Sequence, residues 1–92
     1  MGEQRRELLI VNTRGLHARA SAKFVTAASQ LPEGVSVTVA KGANSAAGGS
    51  ILGLMMLGAA KGDTIELVVT GDESGAVIEQ LSALVVDGFG EQ

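Results

Sequence analysis

A single histidine, His17, lies in Arg14-Gly15-Leu16-His17-Ala18-Arg19-Ala20-Ser21, where a strand-like apolar run gives way to a helical pattern. An imidazole at that point can be both nucleophile and phosphate holder. A helix start presents backbone N–H groups with no internal partner, and its dipole favours negative charge. Gly15 permits a tight or positive-φ turn just before the histidine, Leu16 offers an apolar anchor, and Arg19 can set a guanidinium beside an oxyanion. The helix start and Arg19 both disfavour an imidazolium, so the site is expected to hold the ring neutral for attack more readily than open solvent would. The plain alternative is that His17 caps the helix and does no chemistry.

Ser50 is the second candidate, after Gly48-Gly49 and before the apolar run Ile51-Leu52-Gly53-Leu54-Met55-Met56-Leu57. It reads as an N-cap, and a phosphate there would be tolerated by the helix dipole while adding strong surface charge. The segment is not a nucleotide-binding P-loop, because the required Gly-Lys-Ser/Thr ending is missing. The helix that follows is too apolar all round for one buried face. Leu54 and Leu57 can turn inward, so others must face water as a protein-contact surface, unless the whole helix is buried.

Composition narrows the classes. The 92 residues read as one domain over 1–92, 46% hydrophobic and 18% charged, which predicts a globular chain. No apolar run is long enough for membrane insertion and no secretory h-region follows Arg5-Arg6, so a cytoplasmic protein is expected. One histidine and no cysteine argue against a zinc site, and no cofactor is expected. A net charge of −3 and two Phe without Tyr or Trp disfavour nucleic acid as a partner. Residues 1–61 hold all seven Lys and Arg against three acids, whereas residues 62–92 hold seven acids and no base. His17 therefore sits in the basic part, which suits a phosphoryl group and an acidic partner, although uneven placement for solubility reads the same way.

The elements that must position these residues follow from periodicity. Glu7–Val11 reads as a buried strand, Ala18–Leu31 as an amphipathic helix ended by Pro32 and Gly34, and Val35–Val39 as a strand alternating with period two. A turn at Lys41–Asn44 leads to a weak strand over Ser45–Ala47, then the helix Ile51–Leu57 and a strand Thr64–Thr70. Val77, Ile78, Leu81, Leu84 and Val85 mark a last helix capped by Asp72 or Ser74, and the Gly88-Phe89-Gly90 tail is expected to fray. The order βαββαβα predicts an α+β open-faced two-layer sandwich, one four-stranded sheet with helices on one face.

Arg14-Gly15-Leu16-His17-Ala18-Arg19 with Phe24 downstream resembles the active-site signature of the HPr family, the histidine-containing phosphocarriers of the bacterial phosphotransferase system. Ser50-Ile51-Leu52-Gly53-Leu54-Met55-Met56-Leu57-Gly58 resembles that family's serine signature. The resemblance spans about Glu7 to Val86 and implies an antiparallel sheet. It implies that His17 takes a phosphoryl group on Nδ1 from Enzyme I, which is charged by phosphoenolpyruvate, and passes it to an IIA domain. Arg19 and first-turn amides would hold the group, and Ser50 would be the target of an HPr kinase/phosphorylase. Docking would use Ala18, Ala22, Lys23, Ile51, Leu52, Met55 and Met56. Such a chain is a carrier, a substrate of other enzymes, and is taken to be a monomer.

One departure is Ala20, where the family usually has Pro; it restores an N–H that can reach the phosphate. Basic residues on the docking face are thinned, with Thr26, Ser29 and Gly53 at such places, so affinity should rest on apolar contact. Two other functions stay open on the residues alone. A phosphate-processing enzyme would need a general acid beside His17, for which there is no second His, Cys or Tyr, and a ligand-sensing domain would need no chemistry there.

Overall fold

Alternation and helical spacing resolve, in a computed structural model that describes residues 2–91, into β1 (Glu3–Leu9), α1 (Ala18–Ser29), β2 (Ser36–Lys41), β3 (Asn44–Ala47), α2 (Ile51–Met56), β4 (Thr64–Thr70) and α3 (Ser74–Val86). The four strands form one antiparallel sheet in the order β1-β4-β2-β3. Ile65, Leu67 and Val69 of β4 are buried while Thr64, Glu66, Val68 and Thr70 are not, so one sheet face carries the helices and the other meets water. The expected α+β sandwich is the observed one. Among the described residues, no helix is long and apolar enough to cross a membrane.

The first strand lies earlier than expected. Its pairing runs Glu3↔Thr70 to Leu9↔Thr64, so polar residues fill most of it, and Ile10 and Val11 fall beyond its end. This is an edge strand, and edge strands tolerate charge. Arg5 pairs with Glu3 and Glu66, and Arg6 reaches Glu79 of α3 at 2.7 Å. Ile10, fully buried, still bonds the chain through its N–H to Asp63 and its carbonyl to Gly62. The helices α1 and α2 end slightly short of expectation, at Ser29 and Met56.

Two expectations at the C-terminal end are corrected. The N-cap position of α3 falls on Glu73, in a left-handed conformation with φ 61° and no side-chain cap bond of its own, and Ser74 is the first helical residue. The tail does not fray. Residues Gly88–Gly90 form a 3-10 turn in which Phe89 is 1% exposed and joins the core. Periodicity could not show this, because a lone aromatic between glycines has no repeating neighbours to define a face.

Candidate functional site

Gly15 has φ +62°, and a Cβ built on it would lie 2.3 Å from the Ala59 carbonyl oxygen. That carbonyl accepts the Leu16 N–H at 2.9 Å, so Leu16 is drawn into the core, 5% exposed. The next residue must then leave the core at the start of α1. His17 is the N-cap of that helix: its carbonyl accepts the Ser21 N–H and its Nδ1 accepts the Arg19 N–H at 3.3 Å. The capping reading of His17 therefore holds, and chemistry at the same nitrogen requires that this 3.3 Å bond be released first.

The other ring nitrogen meets a residue from the far end of the chain. His17 Nε2 lies 2.7 Å from Glu91 Oε1, both side chains 17% exposed. An ionised carboxylate only accepts, so Nε2 carries the proton, and Nδ1 keeps the lone pair that accepts from Arg19. The Asn12 amide first, and then the His17 ring, hold the Glu91 carboxyl below the usual carboxylate range against an opposing desolvation. The acidic part of the chain thus supplies one carboxylate to the basic site, a contact across 74 residues that charge distribution alone would not reveal.

A strap formed by residues 87–91 delivers Glu91. Phe89 takes φ 57°, a conformation that costs a bulky residue about 1–3 kcal/mol. Burying its ring contributes about 1.5–3 kcal/mol, enough to offset the strain. Lys23 donates from Nζ to the Phe89 carbonyl at 2.6 Å, and Asn12 Nδ2 donates to Glu91 Oε1 at 2.9 Å. Because the folded-state pKa of Glu91 is depressed, its contribution is complete above the unfolded value and is lost as pH falls through the folded one. A carboxyl-carbon NMR titration of Glu91 is therefore expected to give a midpoint below the ordinary glutamate value; a midpoint at or above it contradicts the contact.

The remaining candidates fall into two groups. Arg19 is exposed beside His17, Ala20 is buried in the first turn of α1, Ala18 is exposed and Ala22 half-buried. On α2, which packs against α1, Ile51, Leu52, Met55 and Met56 are 40%, 67%, 41% and 77% exposed, while Leu54 and Leu57 turn inward. Ser50 caps α2, its Oγ accepting the Gly53 N–H at 2.9 Å. Lys23, one of the expected docking residues, is committed to the strap. Asn12, Glu91 and Phe89 are site residues that motif reading missed.

Comparison with known proteins bears on this site. The family described as PTS-HPr, "PTS HPr component phosphorylation site", matches residues 4–87. The phosphocarrier protein HPr of Neisseria meningitidis is 48% identical over 82 residues, 89% of this chain and 90% of that protein. The phosphocarrier protein NPr of Shewanella violacea is 36% identical over 91 residues, 99% of this chain and 98% of that protein. Among solved structures, HPr-C-His from Thermoanaerobacter tengcongensis superimposes with a TM-score of 0.88 at 34% identity, covering 97% of this chain and 98% of that one.

Proposed function

The chain belongs to the HPr family of phosphotransferase-system phosphocarriers, and from that premise we propose that His17 is the residue that carries the phosphoryl group. The observation that supports this most is the two-sided hold on the ring. Nε2–H on Glu91 leaves the lone pair on Nδ1, at a helix start where the first-turn N–H groups have no intrahelical acceptor. Nδ1 attacks phosphorus as the bond from phosphorus to Enzyme I breaks, and the ring, now cationic, keeps its Nε2 proton against the Glu91 carboxylate. Transfer onward breaks the new P–N bond in favour of an acceptor on an IIA domain.

The grip on the phosphoryl group is modest by design. A helix terminus contributes about 0.3–1 kcal/mol and a charged hydrogen bond from Arg19 about 1.5–3 kcal/mol, sums that steady the group and still let it leave. The Ala20 N–H adds a donor that proline would lack. Glu91, held ionised, is an acceptor and cannot serve as a general acid for hydrolysis, which favours a carrier over a phosphate-processing enzyme. Incubation with a cognate Enzyme I and labelled phosphoenolpyruvate tests this: acid-labile label is expected, and no label overturns the reading.

The protein acts, on this reading, as one carrier domain and a monomer in the cytoplasm, docking on Enzyme I and IIA through Ala18, Ala22, Ile51, Leu52, Met55 and Met56. Its relatives include proteins named HPr and NPr; on this reading the branch it serves, sugar uptake or nitrogen-related regulation, is set by the partner it meets. Ser50 is proposed as a site for HPr kinase/phosphorylase. A phosphate there adds about −1.5 to −2 charges beside the exposed Ile51 and Leu52 and so weakens apolar docking. Mass spectrometry after incubation with ATP and that kinase is expected to find the phosphate on Ser50; modification elsewhere, or none, contradicts this.

A further inference from the structure

We infer that Asn12 is a positioning residue for phosphoryl transfer, acting on His17 through the carboxylate of Glu91. Asn12 lies five residues before His17, outside the signature around it, and is 1% exposed. Its Nδ2 group has two protons and uses both: one bond goes to the Gly15 carbonyl at 2.8 Å and one to Glu91 Oε1 at 2.9 Å. The same Oε1 receives His17 Nε2 at 2.7 Å. One amide therefore braces the turn before the histidine and the carboxylate behind it. Its backbone carbonyl also accepts the Gly15 N–H, closing the turn.

The amide can stand only one way round. Turned over, Asn12 would aim its oxygen at two acceptors, the Gly15 carbonyl and the Glu91 carboxylate, and both bonds would become repulsions. In the observed orientation Oδ1 is buried with no hydrogen-bond partner among the described residues. That unpaired carbonyl costs about 1–3 kcal/mol, which has to be offset elsewhere at this position. The two donated bonds do this. With Glu91 fixed, the proton stays on Nε2 and the lone pair stays on Nδ1, which gives up its long bond from the Arg19 N–H to take the phosphoryl group. With Glu91 released, the ring exchanges tautomers and turns about its side-chain bonds, so fewer encounters find Nδ1 ready.

This inference rests on His17 being the phosphoryl acceptor, and its test separates the two claims. In uniformly 15N-labelled protein, at a pH where the ring is uncharged, the His17 ring nitrogens of the wild type should report the tautomer protonated at Nε2. Asn12→Asp, which sets a carboxylate against Glu91, should draw the two resonances toward an averaged position and slow phosphorylation by Enzyme I about tenfold, the low end of what losing an orienting partner costs at metal-bound histidines. In a Glu91→Ala background the same substitution should no longer move the ring resonances, and its effect on rate should shrink to what the lost Gly15 bond leaves. Should Asn12→Asp fail to fold, Glu91→Ala alone still decides: one of the two Asn12 side-chain proton resonances should move and the one bonded to Gly15 should stay. Unchanged ring resonances in Asn12→Asp, effects that persist undiminished without Glu91, or no selective shift at Asn12 would overturn the assignment. A wild type that takes no phosphoryl group would overturn the carrier reading instead, leaving the tautomer result intact.

Discussion

Replacing His17 with alanine is expected to abolish acid-labile phosphoryl incorporation from Enzyme I while leaving the fold in place. The chain has one imidazole and no cysteine, and lysine and arginine side chains are ordinarily protonated near neutral pH, so no other side chain readily replaces the removed ring as nucleophile. A phosphate on Ser50 would be acid-stable and would need ATP and a kinase. The structural cost is small by comparison: losing the Nδ1 cap on the Arg19 N–H costs about 0.5–2 kcal/mol. His17→Asn controls for that loss, because asparagine is a strong cap and a poor nucleophile. Both variants should show wild-type circular dichroism and no label. Acid-labile label persisting in either would move the acceptor away from His17.

Gly15→Ala is expected to damage stability and phosphoryl acceptance together. At φ +62° an alanine is strained, and its Cβ would sit 2.3 Å from the Ala59 oxygen and 2.8 Å from the Ala60 Cα, both backbone atoms that cannot swing aside. Strain and overpacking together cost about 3 kcal/mol, enough in a domain of this size to lower Tm by roughly 15 °C. Relief would come from moving Leu16 off Ala59 and with it the start of α1, so His17 would lose its register with Glu91. Gly42→Ala is the matched control: its φ is +60° and nothing lies within 4 Å, so only the strain remains, about 1 kcal/mol. Differential scanning calorimetry of the pair separates clash from strain, and equal losses in Tm would contradict the account.

The elements were legible where residues repeat. The alternation of Thr64–Thr70 marks the strand at its observed bounds, and Ala20 and Phe24 mark the buried side of α1. Glycine before an apolar residue and a histidine announced the turn, and a serine after two glycines announced the cap of α2. What stayed hidden has no period. Glu3–Arg6 looks like solvated chain, and only pairing with β4 makes it an edge strand. Phe89 holds a strained backbone against a core contributed by distant segments, and Glu91 reaches His17 because of it. No local pattern encodes a contact between residue 17 and residue 91, so half of the ring's environment could not be read from the signature around it.

We propose, then, that the phosphoryl group is carried on Nδ1 of His17 while Glu91 keeps the proton on Nε2. Phosphorus and nitrogen NMR of the 15N-labelled protein, charged with phosphoenolpyruvate and Enzyme I, tests it directly. One phosphoramidate signal coupled to Nδ1, with Nε2 protonated, is the expected result. Phosphorylation at Nε2, or no phosphoramidate under conditions where Enzyme I is itself phosphorylated, would contradict it.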